Sequence, residues 1–185
     1  MIRRAWWTKP DADAVLRGRV DHEHGLVYIP VRGTAVSSSL RVSSDVVLDL
    51  DGDGFLRGIE LLKASGHVGP ERLLVCGGRD FADFRLMFDV LDALNPRTVG
   101  HGAQRGADYL AGTWCLTRGV PAIPHPALWH LYGRAAGPIR NRAMYASFRP
   151  DLALAFPGGP GTADMVAVAM KGGTPVVRIA PRDDA

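Results

Sequence analysis

Leu152-Ala153-Leu154-Ala155 is a four-residue apolar run that passes through Phe156-Pro157-Gly158-Gly159-Pro160-Gly161-Thr162-Ala163-Asp164-Met165 into an Ala/Val/Met-rich segment. The run is too short for a helix and is closed by proline and glycine, so it reads as a strand, a glycine turn and a helix N-terminus. A strand that leads at once into a helix cannot fold back on its own successor as a hairpin, and its natural partner is a parallel strand reached through the helix. The same alternation runs from residue 72 to residue 179. Strands are expected at 72–76, 98–101, 120–124, 152–156 and 175–179, and helices at 82–94, 107–118, 138–148 and 162–171. Phe84, Met87, Phe88, Leu91 and Leu94 share one face of the first helix, and Leu110, Ala111, Trp114 and Cys115 turn inward on the second. The fold class is therefore α/β, a Rossmann-like parallel sheet with helices on both faces, and its ligands belong outside the carboxyl ends of the strands where strand order reverses.

Four stretches fall at that edge. Gly158, Gly159 and Gly161 carry no Cβ, so with Thr162 their backbone N–H groups can approach an anion at the positive end of the helix. Cys76-Gly77-Gly78-Arg79-Asp80-Phe81 forms the first turn, with Gly77 and Gly78 allowing close approach and Arg79 a phosphate or carboxylate partner. Asp80 is a helix N-cap or a ribose contact. In His101-Gly102-Ala103-Gln104-Arg105-Gly106-Ala107-Asp108, residues Gly102, Ala103 and Gly106 form the second turn, and Asp108 accepts from a ribose hydroxyl or from backbone donors. His101 precedes that turn. The longest loop, 125–137, carries Trp129, His130, Tyr132 and Gly133; Trp129 either stacks on a base or packs as a lid. Arg140 opens the next helix after Gly137-Pro138 and is suited to bidentate phosphate binding, Asn141 can complete that contact, and Met144 is core.

Taken together and in order, these motifs resemble the SLOG superfamily over residues 71–180, in its YspA-type, YpsA-related branch. The resemblance implies a site for a nucleotide or nucleotide-derived ligand. Relatives include the Lonely Guy phosphoribohydrolases, the DNA-processing protein of transformation, and sensors of nucleotide derivatives. For the hydrolases it implies an arginine at Arg140 and a glutamate ending Pro-Gly-Gly-x-Gly-Thr-x-x-Glu. Here that last position is Met165, whose thioether can neither handle a proton nor stabilise an oxocarbenium-like charge. Asp164 is adjacent, but one residue along a helix rotates a side chain by about 100°. Arg140 is the one catalytic candidate if the chain is an enzyme. The resemblance also implies a homodimer.

The first third of the chain has a different pattern. Leu26-Val27-Tyr28-Ile29 reads as a strand ended by Pro30, and the serine-rich 34–44 as a connection or edge strand. Asp49, Asp51, Asp53, Gly54 and Glu60 have EF-hand loop spacing, with Leu56 at the apolar eighth position, which would offer oxygen ligands to calcium. Ser43 to Leu50 is a poor helix, however, and Asp-Gly pairs close tight turns, so a β-hairpin is expected and no metal. Residues 11–65 also resemble a small β-meander family of unknown function. The expected organisation is a β-rich module with an N-terminal tail at 1–65, a linker at 66–70 and the SLOG-like domain at 71–185. Trp6 and Trp7 are read as a packing staple, His22 and His24 as one face of a strand, and His67 as an exposed linker residue.

No run approaches the roughly 20 apolar residues that span a bilayer, and Met1 to Trp7 lacks the apolar stretch of a secretory signal. The expected location is the cytoplasm. Two cysteines make no disulfide framework, six histidines show no metal spacing, and no serine or cysteine sits in a nucleophile elbow. A net charge of +3 favours anionic ligands, but the basic residues are scattered rather than blocked, so nucleic acid is not the expected partner. Binding or sensing of a nucleotide derivative is the leading functional expectation, with cleavage of a nucleoside 5'-monophosphate at its N-glycosidic bond second and DNA binding third.

Overall fold

Side chains alternate across a strand, and the apolar runs of the second half are apolar at every position, so each must be covered on both faces. The computed structural model, which describes residues 19–21, 26–31, 35–62 and 69–180, shows this for the inner runs 73–76 and 152–155, whereas the edge run 122–124 is exposed at all three positions. The elements in order are β1 (Arg19–Asp21), β2 (Leu26–Pro30), β3 (Ser38–Arg41), β4 (Val46–Leu50), β5 (Leu56–Leu61), β6 (Leu73–Cys76), α1 (Phe84–Leu94), β7 (Val99–His101), α2 (Ala107–Arg118), β8 (Ala122–Pro124), α3 (Trp129–Tyr132), α4 (Ala136–Phe148), β9 (Leu152–Ala155), α5 (Pro160–Lys171) and β10 (Val176–Arg178). Strands β6 to β10 form a parallel sheet in the order β10-β9-β6-β7-β8. The chain moves outward from β6 to β7 and β8, then crosses back over β6 to β9. Strand order therefore reverses between β6 and β9.

Leu73, Val75, Leu152 and Leu154 point to one face of that sheet, where α1 and α2 cover them. Leu74, Cys76, Ala153 and Ala155 point to the other, beneath Met144 and Phe148 of α4 and Met165 and Ala169 of α5. Gly100 in β7 lets the Phe148 ring lie on the strand, since a Cβ there would come within 2.7 Å of it.

The first half is an antiparallel five-stranded sheet, β1-β2-β5-β4-β3, with the serine-rich β3 at an edge. β4 and β5 form the expected hairpin, and the acidic groups of its tip serve the turn. Asp51 Oδ1 accepts from the amides of Asp53 and Phe55 at 3.0 and 2.9 Å, while its Oδ2 pairs with Arg57. Asp49 accepts from Ser39 Oγ at 2.6 Å. Among the described residues no group of three His, Cys, Asp or Glu side chains is placed to hold a metal ion. Buried Val46, Leu48, Leu56, Ile59 and Leu61 join the same apolar cluster as Leu73, Val75, α1 and α2. The hairpin tip also reaches β10, whose Arg178 donates its backbone N–H to Gly54 O and its guanidinium to Asp53 O, both at 3.0 Å. Gly69 and Pro70 are buried, Gly69 so close to the Leu94 and Asn95 carbonyls that no side chain would fit. Trp6, Trp7, His22, His24, His67 and most of the expected linker lie outside the described residues.

Three sequence expectations are corrected. The stretch 125–137 is not one long loop, because it holds α3, a 3-10 turn at Gly133–Ala135 and the first residues of α4. α4 begins at Ala136, and Pro138 sits inside its first turn, where a missing N–H costs no helical hydrogen bond. Arg140 is thus the fifth residue of its helix rather than its opening. Likewise α5 starts at Pro160, at the N1 position proline favours.

Candidate functional site

Three glycine turns meet at the β6/β9 reversal and interlock through their backbones. Gly78 N–H donates to Pro157 O at 2.8 Å, and Gly78 O accepts from Ala107 N at 3.1 Å. Gly78 is thereby the tie between the turns that follow β6, β7 and β9. A Cβ on Gly158 would come within 2.2 Å of Thr162 Oγ1 and 2.6 Å of Gly78 N. A Cβ on Gly106 would strike Gly78 O at 2.2 Å, and Gly106 also has φ +77°. These glycines let three backbones approach one another. Gly159 and Gly161 differ, because a Cβ on either would meet nothing within 4 Å. Both line an open cleft of about 860 Å³ whose floor is the turn they belong to.

That cleft also receives Gly77, Gly78, Arg79, Asp80, Gly102 and Asp108 from the turns after β6 and β7, Trp129 from α3, Arg140 and Asn141 from α4, and Thr162 from α5. Of the candidates drawn from sequence, Ala103 and Gly106 are absent from its walls. Ala103 holds φ +55°, and its N–H donates to His101 Nδ1 at 3.2 Å, so it shapes the second turn as Gly106 does. Burial, aided by His125 and Arg140, holds the His101 imidazole below its ordinary pKa and keeps it a neutral acceptor.

Arg140 reaches the cleft from α4. Its Nη1 donates to His125 O at 3.2 Å and lies 3.9 Å from Asp108 Oδ2, and its buried Nε has no partner among the described residues. Gly102 makes room for it, since a Cβ there would stand 1.5 Å from Nη1. Burial lowers the pKa of this guanidinium, with Asp108 and Cys76 pulling the other way; an arginine starts high enough to stay charged. Burial likewise raises the Asp108 carboxyl, against the amides of Gln104 and Gly102 and the charge of Arg140. Both members of the pair are thus short of compensation, as expected for groups 3.9 Å apart rather than in contact. Asp108 accepts from Gln104 N at 3.2 Å, which is its backbone-satisfying role.

At the mouth, the Arg79 guanidinium lies 5.2 Å from the Trp129 ring centroid. Trp129 is 40% exposed, so it is a platform at the rim rather than core. Asp80 does not cap α1; Asp83 does, accepting from Leu86 N at 3.0 Å, while exposed Asp80 pairs with Arg105 at 2.7 Å. Buried Asn141 donates to Gly161 O at 3.2 Å and Asp164 Oδ2 at 2.8 Å, which ties α4 to the start of α5. Gln104, Arg134 and Asp164 also line the cleft. Gln104 lies within the second glycine motif and Arg134 directly after Tyr132-Gly133, and neither residue type carried a signal of its own. Met165 packs between α4 and α5 at 1% exposure.

Residues 71–132, from just before β6 to the end of α3, match the family model described as YspA, cpYpsA-related SLOG. The parallel sheet with its helices is consistent with a Rossmann-like SLOG fold. Residues 19–65, the antiparallel sheet, match a protein family of unknown function, DUF2283. No curated protein matches the chain. Beyond residue 132, outside the matched stretch, the parallel sheet is completed by β9 and β10, and the β9–α5 turn with its glycines lies in that continuation. Among the described residues no helix is long and apolar enough to cross a membrane.

Proposed function

We propose that the SLOG cleft binds a nucleotide or nucleotide-derived phosphorylated ligand, and that the chain is a binding or sensing protein. The observation that carries this reading is the pairing of Gly159 and Gly161, which no packing contact among the described residues requires, with Arg140, whose buried Nε has no partner among them. An oxyanion over the first turn of α5 would meet unencumbered backbone N–H groups, a positive helix end and a guanidinium whose desolvation it would offset. Trp129 at the rim offers a stacking face for a base, with Arg79 released from the ring to meet a second anionic group.

Glycosidic cleavage is the weaker reading. The position that would hold the hydrolase glutamate is Met165, which is buried against α4 and borders the cleft, and a thioether there can neither handle a proton nor stabilise a developing positive charge. DNA binding ranks third, since Arg140 is recessed and Arg79 lies over the Trp129 ring, which leaves exposed Arg134 rather than a basic array at the cleft. Exposed Leu128, Leu131, Tyr132 and Ile139 on α3 and early α4 supply an apolar surface for the homodimer that the family resemblance leads us to expect in a cytoplasmic protein.

Native mass spectrometry of the gently desalted full chain tests the leading reading. A bound species of nucleotide mass, or uptake of one from an added nucleotide panel, is expected and should be lost in Arg140→Ala. A protein that carries nothing and ignores the panel would sink it, and release of free base from a nucleoside monophosphate would favour the enzyme.

A further inference from the structure

A carboxylate in an anion-binding cleft opposes the charge the cleft holds, so each one calls for an explanation. Four line this cleft: Asp80, Asp83, Asp108 and Asp164. Asp83 caps α1. Asp80 is paired with Arg105, and Asp108 is held by Gln104 N–H and faces Arg140. Those three each have a partner in the chain, Asp108 only in part because Arg140 stands 3.9 Å away.

Asp164 is different. Among the described residues its one hydrogen bond is from Asn141 Nδ2 to Oδ2, at 2.8 Å. Asn141 is 3% exposed and gives its amide also to Gly161 O. A buried amide is thus used to orient a half-buried carboxylate, and the second carboxylate oxygen is left to the cleft. Asp164 lies beyond the first turn of α5, so the helix dipole gains little from it. It needs a donor, and the described residues supply none.

We propose that Asp164 accepts the hydroxyls of the ligand's sugar, so that the cleft selects a ribosyl phosphate with a free 2',3'-diol over its 2'-deoxy counterpart. This rests on the phosphorylated-ligand reading above. A vicinal diol offers two donors to an ionised carboxylate, which can only accept. Spacing agrees. Asp164 is five residues beyond Gly159, about 7.5 Å along the helix at 1.5 Å per residue, which is comparable to the separation of phosphate and diol in a ribose 5'-phosphate. A sugar lacking one hydroxyl leaves an acceptor oriented by Asn141 unpaired inside the closed complex, the situation in which polar sites discriminate most sharply. The sequence places Asp164 next to the hydrolase glutamate position. In the structure both neighbours border the cleft, Met165 as a buried apolar wall packed against α4 and Asp164 as the polar group.

Isothermal titration of the full chain with the 5'-mono- and diphosphates of adenosine, guanosine, cytidine and uridine, each beside its 2'-deoxy form, tests this. At least one ribonucleotide should bind about tenfold or more tighter than its deoxy partner, the scale of a lost charge-assisted hydrogen bond. Asp164→Asn and Asp164→Ala should shrink that ratio to about twofold or less by weakening the ribonucleotide alone, the residual expected once the charged acceptor is gone. Asp164→Asn keeps the shape of the side chain and covers the case in which Asp164→Ala folds poorly. Equal binding of ribo and deoxy forms, or a ratio untouched by both variants, overturns the proposal and leaves the phosphate site standing. Absence of binding by every nucleotide overturns both.

Discussion

Gly102 illustrates how one missing methyl group shapes the site. The Arg140 guanidinium occupies the space a Cβ would take, at 1.5 Å, and the obstructing atoms are the far end of a flexible side chain. Gly102→Ala should therefore fold, with a stability change within about 1 kcal/mol, but with Arg140 displaced. We expect its nucleotide affinity to fall about as far as that of Arg140→Ala, on the order of tenfold or more for a charge-assisted contact; unchanged affinity by titration calorimetry would show that Arg140 does not reach the ligand. His101 yields a second prediction, from pH. Its folded pKa is depressed below 6.5 by burial, so the folded state binds its proton more weakly than the unfolded chain. The stability from keeping it neutral is fully present above pH 6.5 and is lost as pH falls through the folded value. Denaturant midpoints should decline on acidification from pH 6.5 down to the folded value, and more shallowly in His101→Asn, whose amide oxygen can replace Nδ1 as acceptor for Ala103 N–H. Parallel profiles for the two proteins would refute this.

At the scale of elements, the β–turn–α units are held by two kinds of glycine that look alike in sequence. Gly106 is fixed by the fold, with φ +77° and the Gly78 carbonyl against it, whereas Gly161 faces open space. Gly106→Ala should cost about 2–3 kcal/mol from backbone strain and collision. Gly161→Ala should leave stability within about 0.5 kcal/mol of the parent, as unobstructed substitutions do, yet weaken ligand binding by placing a methyl group in the cleft. Urea denaturation and titration of the two variants separate these roles. Because such elements alternate strictly, the parallel sheet and its ligand edge were legible in the sequence, and so were most of the residues that line the cleft. What was not legible depended on packing partners. The four residues of α3 are too few to show a period. Asp83 rather than Asp80 caps α1, since both precede the helix and only the turn geometry chooses. The direction of Asp164 depends on which face of α5 meets α4, and that is fixed by Asn141 on another helix.

The whole molecule raises the question of what the antiparallel sheet is for. In the SLOG sheet α4 and α5 cover one face, while α1 and α2 lie on the other, following β6 and β7. Inward residues of β4 and β5 join the apolar cluster on the α1/α2 face, and the hairpin tip bonds to Arg178 of β10. The antiparallel sheet thus contributes to a layer that helices alone do not provide. Alternation in β4 and β5 announces a buried face but not what buries it, so this could not be read from the sequence. If the two sheets unfold as one unit, damage to the first must expose groups buried in the second. Leu48→Ala, at a fully buried site, should cost about 3 kcal/mol. The reporters are Cys115 in α2 and Cys76, which lies on the far face of the SLOG sheet. Burial pushes their thiols up to about 11 and about 12, so neither reacts in the folded state near neutral pH. If labelling requires global opening, Leu48→Ala should accelerate modification of both cysteines by the same factor, about a hundredfold for 3 kcal/mol at 1.4 kcal/mol per decade. Labelling of Cys76 at the parent rate in that variant would show that the antiparallel sheet opens by itself and that the SLOG sheet stands without it.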